Sequence, residues 1–207
     1  MKNKVLIGSP YLFKGEQKKE RLALRKALEK QGIPVQSCNE PWPRDWLVNH
    51  RGTVYHRNDH GNYAEGGYIF NGDDFIIAHV DVGWSYEKSS FTFQYTSREK
   101  IRERFREIYG VEDVILVGKK ANYRETITQR DNHLDICILM IEARKLFLSP
   151  WNIMHTPDFQ ELQEFIERRG FHFEKINPGQ GVNVNALPVE DDDGRVLLFA
   201  PKSSDDV

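Results

Sequence analysis

The chain has 207 residues, of which 39% are hydrophobic and 29% charged, a balance typical of a globular protein with an apolar core. Its 29 Lys and Arg residues against 31 Asp and Glu residues give a net charge of -2 without any basic block, which disfavours a nucleic-acid or anionic-membrane partner. No apolar run approaches the ~20 residues of a membrane span, and the amino terminus lacks a secretory segment. Two cysteines make no disulfide framework. We therefore expect a cytoplasmic protein.

Three segments have the apolar spacing of amphipathic helices, and each is followed by a short apolar run typical of a strand. The first, EQKKERLALRKALEKQG, ends at Gly32 and precedes IPVQS. The second, SREKIRERFREIYG, has Ser97 as its N-cap and Gly110 as its stop, and it precedes VEDVILVG. The third, TPDFQELQEFIERRG, is capped by Thr156, ends at Gly170 and precedes FHFEKIN. The sequence therefore predicts three helix–strand units.

Pairs of apolar runs separated by turn residues predict hairpins between these units. YAEGGYIF and DFIIAHV flank NGDD, DICILMI and RKLFLSP flank EA, and VNVNALPVE and RVLLFAP flank DDDG. The chain is thus predicted to repeat two paired strands, a helix and a strand, in an α/β fold whose units pack against one another. No helix is expected between PRD and EGG. We expect one domain over residues 1–200 and a polar tail over 201–207.

Polar residues stand next to the start of four predicted strands, where the fold alone does not require them. They are Arg44 and Asp45 in PWPRDW, Glu65 in AEGGYIF, His133 and Asp135 in DNHLDI, and Asn183 and Asn185 in GVNVNA. In a repeat fold, equivalent junctions tend to meet at one end or at the central axis, so we expect these side chains to share a pocket. Each also has a structural alternative, as a turn cap, an ion-pair partner of a neighbouring acid, a solvated turn residue or a satisfied histidine.

His133, Asp135 and Cys137 stand at alternate positions and would share one face of a strand. They are compatible with a nucleophilic catalytic site, or with a binding carboxylate and its histidine beside an ordinary core cysteine. Cys137 lies deeper in the apolar run ICILMI, which favours the second interpretation.

Three carboxylates and a histidine suit a guanidinium ligand. Carboxylates bind this planar cation through paired, charge-assisted hydrogen bonds. Attack at its central carbon needs a strong nucleophile such as a thiolate, and a histidine can protonate the departing nitrogen and then activate water. No cluster has the spacing of a zinc or calcium site, so we expect no metal or other cofactor.

In their order along the chain, these motifs resemble those of the guanidine-modifying (pentein) superfamily of five-bladed α/β propellers, which includes arginine and agmatine deiminases, dimethylarginine hydrolases and amidinotransferases. PWPRDW resembles its W-x-R-D element, AEGGYIF its E-G-G strand, DNHLDI its D-x-H-x-D element, and GVNVNALPVEDDDGRVLLFAP its later asparagine-bearing hairpin. The resemblance spans nearly the whole chain. It implies a pentein-like α/β propeller of ββαβ repeats, incomplete or degenerate in this chain, and a small arginine- or agmatine-like guanidino compound as ligand.

The resemblance also implies roles for individual residues. The catalytic candidates are His133, as acid and base, and Glu65, which would assist it. The candidate substrate-binding residues are Asp45, Asp135, Arg44 and Asn183, of which the two aspartates would hold the guanidinium. Gly66 and Gly67 would let the backbone pass close to the site.

The nucleophile is where this sequence departs from the superfamily, whose catalytic cysteine lies in the last module. One alignment ends the chain before that module, and another places Val184, or less favourably Asn183, at the cysteine position. No cysteine follows Cys137, so Cys137 and Cys38 are the two thiols of the chain that could act instead.

Three functions therefore stay open: a guanidino-compound hydrolase or transferase, a non-catalytic or truncated binder of arginine-like ligands, and a structural or interaction protein on the same fold. The segment DVGWSYEKSSFTFQY could form an aromatic lid, although covering the core is the favoured interpretation. Exposed strand edges of an incomplete ring are compatible with a homo-oligomer.

Overall fold

The computed structural model of the chain describes residues 5–72, 74–87, 92–118, 134, 138–142, 145–148, 157–175, 187–190, 193 and 195–199. Its helices are α1 (Gly15–Lys30), α2 (Pro43–Trp46), α3 (Arg57–His60), α4 (Arg98–Tyr109) and α5 (Pro157–Arg168). Its strands are β1 (Val5–Gly8), β2 (Val35–Cys38), β3 (Leu47–His50), β4 (Thr53–His56), β5 (Ile69–Asn71), β6 (Phe75–His79), β7 (Trp84–Glu87), β8 (Thr92–Tyr95), β9 (Asp113–Val117), β10 (Ile138–Glu142), β11 (Lys145–Leu148), β12 (His172–Lys175), β13 (Leu187–Glu190) and β14 (Val196–Phe199). Turns of 3₁₀ helix cover Pro10–Leu12, Gly61–Ala64, Gly66–Tyr68 and Val80–Gly83. The structure confirms the three predicted helices and the strands that follow them, β2, β9 and β12.

Helix α4 shows why its N-cap, its apolar stripe and its stop glycine were sufficient to predict a helix from the sequence. The Ser97 hydroxyl accepts the Lys100 amide hydrogen at 3.4 Å, which caps the first turn. Gly110 takes a left-handed conformation with φ of 64°, and its amide donates to the Arg106 carbonyl. Ile101 and Phe105 on the inner face are fully buried, so capping and packing act together.

A ββαβ unit occurs twice among the residues that the structure describes. In the first, β5 is antiparallel to β6, and β6 is parallel to β9 with α4 between them. In the second, β10 is antiparallel to β11, and β11 is parallel to β12 with α5 between them. The predicted hairpins at NGDD, at EA and between β13 and β14 are confirmed. The fold is therefore mixed α/β, built from repeated units.

Two parts of the chain hold elements that the sequence did not predict. The segment between PRD and EGG forms the antiparallel hairpin β3–β4 and the one-turn helix α3, so the expectation of no helix there is wrong. The His56 imidazole caps α3, because its Nδ1 accepts the Asn58 amide hydrogen at 3.0 Å. The aromatic segment forms the hairpin β7–β8, and Tyr95 packs on the core as the favoured interpretation predicts.

Strand β6 lies at the centre of the core and is buried on both faces. Phe75 and Ile77 pack with residues of β9, β10 and α5, whereas Ile76 and Ala78 pack against α4. A separate core joins the first unit, β1–α1–β2, to the hairpin β13–β14 and includes Leu28.

None of the described helices combines the length and the apolar character that a bilayer crossing requires.

Candidate functional site

The first predicted site residues lie in a single helical turn immediately before a strand. Arg44 and Asp45 belong to α2, where Pro43 opens the turn with its restricted φ. The Asp45 amide donates to the Trp42 carbonyl at 2.9 Å, and the chain becomes extended at Leu47 to form β3. Both charged side chains are half-buried. The predicted junction of loop and strand is confirmed for this motif.

Glu65 lies between two 3₁₀ turns, Gly61–Ala64 and Gly66–Tyr68, directly before β5. It is only 5% exposed. Arg57 of α3 places its Nη1 atom 2.9 Å from Oε2 of Glu65, and this charge offsets part of the desolvation of the buried carboxylate. The carboxylate is therefore held in place rather than solvated, and the turn-residue alternative does not apply.

Gly66 brings these two motifs into contact. A Cβ atom at this position would lie 2.6 Å from the Arg44 carbonyl oxygen and 3.0 Å from the Leu47 carbonyl oxygen. Only glycine allows so close an approach of the two backbones. At Gly66 the chain passes close to the PRD turn, so Asp45 and Glu65 lie on adjoining turns. That this glycine borders a ligand site stays a prediction.

The pKa of the Tyr68 hydroxyl depends on the charges around the contact of the PRD turn with the EGG turn. Burial raises the pKa of Tyr68 to about 12, and the negative charges of Glu65, Asp81 and Asp45 act in the same direction. The positive charge of Arg57 acts in the opposite direction and lowers the pKa. Three carboxylates and one guanidinium thus lie within electrostatic range of a single phenol.

His79 and Asp81 are buried polar residues that the sequence motifs did not single out. His79 is the last residue of β6, and Asp81 follows in a 3₁₀ turn, with exposed fractions of 6% and 2%. The Asp81 amide donates to Nδ1 of His79 at 3.2 Å, and the Asp81 carboxylate lies 3.5 Å from the same nitrogen. The Asp81 carboxylate accepts the indole N–H of Trp84 at 3.2 Å. An available signal was the spacing H-x-D at the end of an apolar strand, which HVD shares with HLD.

Gly118 closes over the His79 ring at the end of β9. Its φ of 88° is left-handed, and a Cβ atom there would collide with the imidazole. Since β6 and β9 are parallel, with His79 opposite Val117, the polar group stands at the carboxyl edge of the sheet.

Several predicted site residues lie outside the described residues: His133, Asp135, Cys137 and Asn183. Leu134, which stands between two of them in the sequence, is described. It is 1% exposed, takes a 3₁₀ conformation rather than that of the predicted strand, and packs in one core cluster with Ile77 and Val117. The described part of β10 begins at Ile138.

Cys38 lies at the carboxyl end of β2 and is half-buried. Its thiol donates a long hydrogen bond of 3.6 Å to the Glu40 carbonyl. The Glu40 carboxylate lies 3.4 Å from Nε2 of His56. These contacts suit a structural thiol. Among the described residues, no group of three or more His, Cys, Asp or Glu side chains is arranged to hold a metal ion.

No protein-family model matches the chain, and no curated protein matches it in sequence. Solved structures do match. A dimethylarginine dimethylaminohydrolase in an adduct with S-methyl-L-thiocitrulline is 11% identical, with a TM-score of 0.55, over 97% of this chain and 85% of that chain. A second dimethylarginine dimethylaminohydrolase adduct, with 4-chloro-2-hydroxymethylpyridine, is 12% identical, with a TM-score of 0.51, over 90% of this chain and 81% of that chain.

The agmatine deiminase of C. jejuni is 17% identical, with a TM-score of 0.38, over 83% of this chain. This chain spans 57% of the length of that enzyme. At these identities the similarity concerns the fold, and the two dimethylarginine dimethylaminohydrolase structures carry it. The chain therefore has a mixed α/β fold that resembles the structures of these dimethylarginine dimethylaminohydrolases.

Proposed function

We propose that the chain binds the guanidinium group of a small arginine- or agmatine-like compound where the PRD turn meets the EGG turn. The contact of Gly66 with the Arg44 carbonyl carries this proposal, because it brings Asp45 and the buried Glu65 onto adjoining turns. Paired carboxylates at such a junction suit a flat cation with several N–H donors. Similarity in fold to dimethylarginine dimethylaminohydrolases supports the choice of ligand class.

In this proposal, His133 and Asp135 complete the site. Leu134, which separates them in the sequence, is buried in the core cluster that contains Ile77. Ile77 and His79 are two residues apart on β6 and so share a face. The cluster that holds Leu134 therefore packs on the face of β6 that ends at His79.

The proposed roles follow from the chemistry of each group. Asp45 and Asp135 hold the guanidinium through charge-assisted hydrogen bonds, while His133 moves protons with Glu65 beside it. Covalent turnover also needs a thiolate that attacks the central carbon, so that one C–N bond breaks and the nitrogen leaves as ammonia or an amine with a proton from His133. Water, deprotonated by His133, then attacks the adduct, the C–S bond breaks and the thiolate leaves. Cys137 is the candidate for that step, since the Cys38 thiol is engaged with a backbone carbonyl.

We propose further that the units are arranged as an incomplete or degenerate α/β propeller. Two ββαβ units support this arrangement. So does the common core of β1–α1–β2 with β13–β14, because it joins units from opposite ends of the chain.

Calorimetric titration with agmatine and arginine tests the binding. Glu65→Gln and Asp45→Asn should each weaken binding roughly 10- to 100-fold, since a charge-assisted hydrogen bond contributes about 1.5–3 kcal/mol. Glu20→Gln, which removes an equal charge from the exposed surface of α1, should bind like the unmodified chain. Failure of the unmodified chain to bind any guanidino compound would contradict the proposal.

A second assay separates binding from catalysis. Release of ammonia, citrulline or urea that is lost in Cys137→Ala and kept in Cys38→Ala would assign Cys137 as the nucleophile. Binding without release of any of these products would make the chain a non-catalytic guanidine binder.

A further inference from the structure

The guanidinium of Arg57 is bound by the chain in the manner of a ligand. Its Nη1 atom lies 2.9 Å from the Glu65 carboxylate, and its Nη2 donates to Oδ1 of Asn62 at 3.1 Å. Its Cζ atom stands 5.3 Å from the ring centroid of Trp46, within the range of a cation–π contact. The buried carboxylate pairs with the charge of this guanidinium, the Asn62 amide oxygen accepts one of its N–H groups, and the indole lies against its flat face.

The same carboxylate is the one proposed above to face a guanidino ligand. Trp46 directly follows Asp45 in α2, so the indole under Arg57 also belongs to the PRD turn. Both motifs of the proposed site therefore already contact a guanidinium that comes from α3.

We propose that Arg57 is an internal competitor for the guanidinium position at Glu65 and so sets the affinity of the chain for guanidino ligands. This inference rests on the proposed function, because it concerns the same carboxylate.

The exposed fractions of the two side chains indicate that Arg57, and not Glu65, moves when a ligand binds. The Arg57 side chain is 34% exposed, whereas that of Glu65 is 7% exposed. Arg57 stands at the start of a single helical turn, so its side chain can leave for solvent without opening the core. Glu65 cannot follow it, and a buried carboxylate without a cationic partner is costly. A guanidino ligand supplies an equivalent partner, so the exchange keeps the carboxylate paired.

Removal of the Arg57 charge should also favour binding of a cationic ligand. Arg57 contributes a positive charge near Tyr68, where Glu65, Asp81 and Asp45 contribute negative ones. Arg57→Gln keeps a polar side chain of similar reach while it removes both the charge and the guanidinium fork. The variant site would be more negative and open to a cationic ligand.

Titration of Arg57→Gln with agmatine tests the inference, with Arg25→Gln as the matched control. Arg25 lies on α1, where it pairs with Glu29 at 2.8 Å, so its removal changes the net charge equally at another site. Arg57→Gln should bind agmatine at least several-fold more tightly than the unmodified chain, since the apparent dissociation constant rises as the fraction of open sites falls. Equal or weaker binding by Arg57→Gln would overturn the inference and leave the proposed function standing.

Chemical rescue tests the same contact without relying on agmatine or arginine. Arg57→Ala should have a lower melting temperature than the unmodified chain. Millimolar methylguanidinium should raise the melting temperature of Arg57→Ala by about 2–4 °C for each kcal/mol of binding free energy. Methylammonium has the same charge but lacks the planar set of N–H donors, so it should raise the melting temperature of Arg57→Ala only slightly. The melting temperature of Arg25→Ala should not respond to methylguanidinium. If Arg57→Ala and Arg25→Ala respond alike to methylguanidinium, Arg57 does not occupy a guanidinium site. Rescue of Arg57→Ala when neither the unmodified chain nor Arg57→Gln binds agmatine or arginine would show that Arg57 occupies a guanidinium site, but it would reject both the proposed function and the competition.

Discussion

Substitution of Gly66 by alanine tests the contact on which the site depends. The added Cβ would lie 2.6 Å and 3.0 Å from two carbonyl oxygens, where ordinary contacts begin at 3.4 Å, so backbone on one side must move. Gly66 is not among the glycines with positive φ, and the cost therefore comes from the collision alone. Overpacking of this kind costs about 1–3 kcal/mol. For a domain of this size, that lowers the melting temperature by roughly 2–12 °C.

Thermal unfolding followed by circular dichroism measures the loss of stability, and agmatine titration measures the effect on the site. Gly32→Ala is the matched control, because Gly32 has φ of 73° and open space around it at the far end of α1. It should lose about 1–2 kcal/mol through backbone strain and keep its affinity for the ligand. An unchanged melting temperature in Gly66→Ala would show that the two turns do not touch. A destabilised Gly66→Ala with full ligand affinity would refute the link between this contact and binding.

Three further predictions concern pH, capping and the buried polar group. Since the pKa of Tyr68 is raised from 10.0 to about 12, the folded state favours the neutral phenol, and the stability it contributes is complete below pH 10 and lost as the pH rises toward 12. Tyr68→Phe should therefore reduce the loss of unfolding free energy at alkaline pH by at most about 1–2 kcal/mol after solvent screening. Urea unfolding at several pH values measures this loss, and Tyr11→Phe, at an exposed position, is the control that should leave it unchanged. Ser97→Ala should destabilise the chain by about 1 kcal/mol in the same assay, and no loss would show that the cap is dispensable. Asp81→Ala should cost about 1–3 kcal/mol because the Trp84 indole loses its acceptor, and strictly additive effects with Trp84→Phe would argue against that hydrogen bond.

Elements with strong local signals were predictable from the sequence. Helix α4 has an N-cap, an apolar stripe and a stop glycine, and the NGDD turn joins two apolar runs. The close approach of the PRD and EGG turns at Gly66 agrees with the expectation that junctions of loop and strand meet. That Asp45 and Glu65 share a ligand pocket stays a prediction.

Other features depend on contacts that no local pattern encodes. The four-residue strands β3 and β4 are too short to show periodicity, so the hairpin before EGG was missed. The pairing of Arg57 with Glu65 requires α3 to fold back over the EGG turn, and a lone arginine in YHRNDH gives no hint of it. Asp81 belongs to the aromatic segment of the sequence, whereas in the structure its amide donates to the His79 imidazole, which caps the 3₁₀ turn after a buried strand.

The core that joins β1–α1–β2 to β13–β14 has a consequence for the order of folding. Ile7 and Leu28 leave the ribosome long before Val189, which packs in the same core cluster. Closing so long a loop carries an entropic cost that contacts within one unit avoid, and such distant contacts slow folding. The two ββαβ units between them bury their strands largely against nearby sequence and can form first. The β1–α1–β2 unit then reaches its native packing later than the two ββαβ units, and until that moment its apolar face is open to chaperones or to aggregation.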